Sequence, residues 1–164
     1  MEKMRFLLIA GTMLLFVPVQ AQDAGSQKSH DWSGWGVRVG LADDPDQVII
    51  GGQYDFGEIA DRVHFEPNVE LGIGDDHTIL SGTAAFHYHF PSANKMRPYA
   101  GGGLAVGLVD SDRPGRNDDT DFEIALKAVG GFRWPLKSGN EFFLELDLVF
   151  GDLHDTQVLA GWRF

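Results

Sequence analysis

From Trp32 to Phe164 apolar and polar residues alternate in eight successive runs, with no amphipathic helical stretch between them. Alternation sustained this long restricts the chain to antiparallel β-structure with two chemically different faces. The sixth run is the cleanest: Phe122, Ile124, Leu126, Ala128, Phe132 and Trp134 stand opposite Asp121, Glu123, Lys127 and Arg133. In the seventh, residues 141–151, Phe142, Leu144, Leu146, Leu148 and Phe150 oppose Glu141, Glu145 and Asp147. The last, residues 155–164, opposes Thr156, Val158, Ala160, Trp162 and Phe164 to Asp155, Gln157, Leu159, Gly161 and Arg163. Residues 32–41, 47–56, 62–74, 77–90 and 97–109 follow the same rule. Pro67 removes a ladder donor from the third run and predicts a bulge there. The expected fold is all-β, an eight-stranded antiparallel up-and-down barrel over residues 32–164.

Residues 1–21 read as a cleaved signal peptide. Met1-Glu2-Lys3-Met4-Arg5 is a basic start, residues 6–17 are apolar, and Val19-Gln20-Ala21 suits a signal peptidase. About twelve apolar residues are too few to cross a bilayer as a helix. Residues 22–31 are polar and are expected to form a flexible lead-in. The whole chain carries −11, and without the leader's net +1 the remainder stands at −12. No basic field is available for phosphate backbones, so nucleic acid is excluded as a partner. The chain has no cysteine, so an exported domain must be held by hydrogen bonds, packing or a membrane. Its 21 glycines lie largely inside the runs, where small barrels use them to admit bulky neighbours.

Alternation alone leaves open which face is inside. A soluble barrel hides its apolar face, whereas a membrane barrel shows it. Three features select the membrane arrangement. The connectors at 42–46, 75–76, 110–120 and 152–155 are more acidic than those at 57–61, 91–96 and 137–140, so the two ends differ. The rings of Trp35, Tyr54, Phe56, Phe65, Tyr88, Phe90, Phe132, Trp134, Phe142, Trp162 and Phe164 fall on the apolar face near one end, as an interfacial girdle would. The polar face carries charges of both signs. A tight 137–140 turn pairing residue 135 with 141 sets Arg133 diagonal to Glu141 and Glu145, and Lys127 diagonal to Asp147. With Arg163 these form an expected lumen charge network.

Met96-Arg97-Pro98-Tyr99-Ala100-Gly101-Gly102-Gly103-Leu104-Ala105-Val106-Gly107 resembles the Pro-Tyr-x-Gly-x-Gly strand of small outer-membrane β-barrels of the OmpA/OmpX type. With the leader, eight strands and a terminal Phe164, the resemblance covers essentially all of the chain after the leader. It implies a place in the cell outer membrane, with the amino terminus and ring-rich end periplasmic and the acidic loops extracellular. It also implies outer-membrane lipid and lipopolysaccharide as partners, and an insertion machinery that reads the C-terminal strand. No counterpart of the separate peptidoglycan-binding domain of OmpA is expected.

The chemistry-bearing residues are few. If Asp75-Asp76 is a two-residue turn, His64 faces His87 and Arg62 faces His89, all on the lumen side. His64, His87 and His89 are candidate transition-metal ligands, although a hydrogen-bonded polar plug is the favoured reading. Residues 110–121 partly match a calcium loop, but Pro114, Arg113, Arg116 and the lack of flanking helices favour a solvated acidic loop. Divalent cations bridging that loop to lipopolysaccharide remain an expectation to test. No cofactor is expected. Gly-x-Ser-x-Gly, His-Glu-x-x-His and phosphate-loop motifs are absent. The reading reached is a non-enzymatic barrel with a structural or surface-interaction role and at most a narrow gated ion path. The alternatives are a lipid A-modifying barrel enzyme using Ser81 and His87, and a soluble lipocalin-like periplasmic binder.

Overall fold

Runs that alternate with period two become strands, and runs joined by short turns become antiparallel neighbours. A computed structural model describes residues 33–44, 46–75, 77–111, 120–151, 153 and 156–164, and shows this throughout. The leader, the lead-in and most of the calcium-like loop lie outside the described residues. Ten strands form one sheet: β1 (Gly34–Asp43), β2 (Gln47–Asp55), β3 (Glu58–Ala60), β4 (Val63–Phe65), β5 (Asn68–Ile73), β6 (His77–His89), β7 (Arg97–Ser111), β8 (Thr120–Pro135), β9 (Glu141–Phe150) and β10 (Thr156–Arg163). β2 continues into β3 and β4 into β5, giving eight staves. β1 pairs with β10 from Gly36↔Arg163 to Asp43↔Thr156, which closes the barrel.

Two breaks in the staves have local causes. Gly57, at φ 84°, bends the second stave, and its N–H donates to the Asp55 carboxylate at 2.7 Å. Pro67 separates β4 from β5, but without the expected bulge. His64↔His87 and Asn68↔Thr83 belong to one uninterrupted register, and the Glu66 N–H still donates to Ala85 at 2.8 Å. Pro67 costs one ladder bond and inserts no extra residue, because its carbonyl still accepts from the Tyr54 N–H at 3.0 Å. Arg62 faces His89 as expected, its carbonyl accepting from the His89 N–H at 2.8 Å, but its side chain departs from expectation. It sits in the β3–β4 turn at φ 61°, and its side chain interacts with outward-facing Tyr88 rather than joining the lumen beside His89.

The two faces are sorted cleanly. Trp35, Leu126 and Phe150 are exposed on the outer wall at 60–68 %, while Arg38, Glu70, Lys127, Arg133, Glu145, Asp147 and Arg163 are buried inside. This is the inverse of a water-soluble barrel.

Glycines make room for the larger inward rings. A Cβ on Gly161 would stand 2.4 Å from the Phe143 ring and 2.2 Å from the Val37 carbonyl, and one on Gly131 would stand 2.5 Å from the Tyr99 ring. Both glycines lie directly across from the ring they accommodate, Gly161↔Phe143 and Tyr99↔Gly131. Gly161→Ala is therefore expected to cost about 1–3 kcal/mol through forced displacement of ring and backbone. Gly130→Ala, whose Cβ would meet nothing within 4 Å, serves as the control and should change stability by no more than about 0.5 kcal/mol. Urea unfolding followed by tryptophan fluorescence compares the two; equal midpoints would refute the packing argument.

Candidate functional site

Among the described residues, charged side chains converge in the lumen, which divides into three levels. At the ring-rich end, near the 56–62, 91–96 and 136–140 turns, Asp55, His64, Glu66, His87, His89, Arg97, Arg133, Glu141 and Arg163 come together. Arg133 donates from Nη2 to both Glu66 oxygens at 2.6 and 2.7 Å, and Nη1 lies 2.9 Å from His89 Nε2. Its guanidinium also stacks 4.4 Å from the centroid of the Tyr99 ring. Arg163 pairs with Asp55 and donates to Glu141 at 2.9 Å, while Arg97 pairs with Glu141 from the mouth. His64 Nδ1 lies 3.1 Å from each Asp55 oxygen, and the His64 and His89 rings stack with centroids 4.2 Å apart.

At mid-height Arg38 joins Glu70 at 2.8 Å and pairs with Glu145. Lys127 reaches Glu70 at 3.0 Å and Asp147 at 3.2 Å, and the Tyr99 hydroxyl donates to Glu145 at 2.7 Å. Tyr99 therefore links the two levels, with its ring under Arg133 and its hydroxyl on Glu145. Interlocking pairs of this kind satisfy charges that would each be costly to bury alone.

Toward the acidic-loop end the interior turns apolar beside the inward-parity Glu123 of β8. Ile79, Ala105, Ala125, Val149 and Leu153 form an apolar cluster there, and Ala42, Ile49 and Leu159 form a second. Leu153, from the β9–β10 connection, is 1 % exposed, and its Cδ2 occupies the space that a Cβ on Gly107 would need. A lumen filled by charged side chains is expected from the sequence; at this end apolar side chains fill part of it.

The predicted site residues are placed as follows. Lys127 meets Asp147, in the diagonal arrangement that the register requires. Arg133 has the expected register, with Pro135↔Glu141 and Arg133↔Phe143, but its side chain crosses the lumen to Glu66. Glu141 is engaged by Arg163 and Arg97, and Glu145 by Arg38 and Tyr99. Arg38, Asp55, Glu66 and Glu70 have the polar parity of their runs and join the network as well. Their network partners, Glu145, Arg163, Arg133 and Lys127, lie on staves that are not their neighbours, which no hairpin rule reaches. His87 is set apart from the other two histidines: it contacts Glu66 at 3.3 Å and the Tyr99 ring at 5.1 Å.

On the outer wall, ring contacts run Trp35–Tyr54–Phe56–Phe65–Phe86, then Tyr88–Phe90, then Phe132–Trp134–Phe142–Trp162, with centroids 4.8–6.1 Å apart. Phe164 adjoins Trp35 through a 2.8 Å backbone bond. The belt is broken at β7, which presents Pro98 and Ala100 between Tyr88 and Phe132.

A closed eight-stave barrel with a charged interior, an apolar wall and rings gathered at one end has known counterparts. This is the fold of a small outer-membrane β-barrel. The chain is similar to the N-terminal β-barrel domain of Pseudomonas aeruginosa OprF, with a TM-score of 0.70 at 14% identity over 80% of this chain and 95% of that one. It is similar to Neisserial surface protein A, with a TM-score of 0.62 at 15% identity over 80% and 94%. The outer membrane enzyme PagL matches with a TM-score of 0.51 at 12% identity over 79% and 97%. No family model matches the sequence, and no curated protein matches it.

Proposed function

We propose that the protein is an outer-membrane barrel with a structural or surface-interaction role, whose lumen is sealed rather than conducting. Its amino terminus and ring-rich end face the periplasm, and its acidic loops face outward. The observation carrying this reading is the filled interior. Two levels of interlocked ion pairs are capped by an apolar plug around Leu153, inside a barrel of eight staves that has little spare width. Lipid is the partner of the outer wall, with the ring belt at one interface. The acidic loops are the surface left for lipopolysaccharide, divalent cations or an extracellular partner.

An enzymatic reading draws on the PagL likeness, but the side chains favour it less. Lipid A chemistry on a barrel wall needs its groups outside. Among the described residues every histidine (His64, His77, His87 and His89) has inward parity. Ser81 and His87 are both buried in the lumen and lie six positions apart on β6, about 20 Å along a strand.

Fractionation of expressing cells with heat-modifiable gel migration tests location; recovery as a soluble periplasmic species would overturn it. Planar-bilayer recording tests the seal. The purified barrel is expected to give no sustained conductance, and a steady channel would refute a closed lumen.

A further inference from the structure

We propose that His64, Glu66 and His89 form a binding site for a divalent transition metal at the ring-rich mouth of the barrel, with Arg133 holding its place as an internal cation. Ligand atoms of these three side chains lie within 4.8 Å of one another. Two imidazoles and a carboxylate are the donor set that suits Zn²⁺, Cu²⁺ or Ni²⁺ rather than Mg²⁺ or Ca²⁺. Tetrahedral ligands about 2.1 Å from a zinc ion stand about 3.4 Å apart, so rotamer shifts on the order of 1 Å would complete the geometry.

Three further features belong to a metal site more than to an inert plug. Asp55 receives His64 Nδ1 with both carboxylate oxygens at 3.1 Å, the carboxylate–histidine arrangement that orients Nε2 as the ligating nitrogen and raises its basicity. His89 keeps 18 % of its side chain exposed, whereas Glu66 keeps 1 %, so an ion can enter past His89 from the mouth. The positive charge already present is positioned as a metal would be, because the Arg133 guanidinium bonds Glu66 and His89 together. Arg133 also has somewhere to go. Its Nη1 is 4.0 Å from Asp55, and its guanidinium lies 4.4 Å from the Tyr99 ring centroid. His87 is left out of the set, because its Nδ1 is engaged by Glu66 and Arg133, each at 3.3 Å, and the 4.8 Å grouping holds the other three.

The test is calorimetric titration of ZnCl₂ into the folded, tag-free barrel in detergent micelles, with Cu²⁺ paramagnetic resonance to count coordinated nitrogens. One equivalent should bind, with two nitrogens in the Cu²⁺ spectrum. H64A and H89A should each weaken binding by about tenfold or more, and H87A should leave it within about twofold. Heat-modifiable migration verifies that each variant is folded. Should H64A fail to fold, H89A decides alone, since His89 is the partly exposed member at the rim. Removing the competing guanidinium in R133Q should tighten binding. The proposal is overturned if wild-type protein and R133Q both bind no tighter than millimolar. It is equally overturned if binding survives H89A unchanged, or is lost as much in H87A.

Discussion

Replacing Arg38 by Met is expected to destabilise the assembled barrel by about 3–5 kcal/mol, among the largest single effects available inside this lumen. Arg38 is fully buried between Glu70 and Glu145, and its guanidinium is the group that holds those two carboxylates at mid-height. Without it Glu70 retains Lys127 and Glu145 retains the Tyr99 hydroxyl, but Lys127 already serves Asp147 as well. One ammonium then faces three carboxylates in an interior that water does not freely enter. Met fills much of the vacated volume, so the loss reports uncompensated charge more than a cavity. Glu70→Gln on the Arg38→Met background should recover part of it, with a coupling energy of about 0.5–3 kcal/mol. Urea titration in lipid vesicles measures both. A loss below about 1 kcal/mol would mean that the lumen is hydrated and its pairs behave like surface ones.

Leu126→Arg addresses the other face. Leu126 lies midway along β8, between outward Phe122 and the Phe132–Trp134 rings, and is 60 % exposed on the wall. In a bilayer this position is close to the midplane, where an arginine on a barrel wall costs about 2–4 kcal/mol. In a water-soluble barrel the same substitution would replace an exposed leucine with an exposed cation and change stability by about 0.5 kcal/mol or less. The adjacent Lys127 shows that β8 already carries a cation at this height, one residue away and turned inward. Refolding into phosphatidylcholine vesicles, followed by urea unfolding, separates the outcomes. Wild-type-like stability in vesicles would remove the membrane assignment of the wall.

Much of this architecture was legible in the chain because barrel rules are local. Side-chain parity is two, so Lys127 and Arg133 must share a face and Leu126 must take the other. A short turn sets the register of the strands it joins. The return of Gly74 onto His77 places His64 opposite His87, and the 137–140 turn places Pro135 opposite Glu141. Rings at matching distances from one set of turns must gather at one end, whatever the rest of the fold does. Pro67 misled for a related reason. A missing donor is visible in sequence, but whether the strand repairs it with a bulge or simply omits one bond depends on both neighbouring strands.

What sequence alone determined, then, is the number and order of the staves, the two faces and the end at which the rings lie, all consequences of period two and short connections. Beyond the Lys127–Asp147 diagonal, only the closed structure decided who pairs with whom inside. Arg133 reaches Glu66 across 67 positions, and Arg38 reaches Glu145 across 107. Arginine, lysine and glutamate side chains are long enough to span the narrow lumen and bypass their nearest strand. The same closure brings Leu153 into the space that Gly107 leaves, and gathers His64, Glu66 and His89 around one guanidinium. The physical reason is curvature: closing the sheet makes distant staves face each other across a few ångströms, and no hairpin rule records that distance.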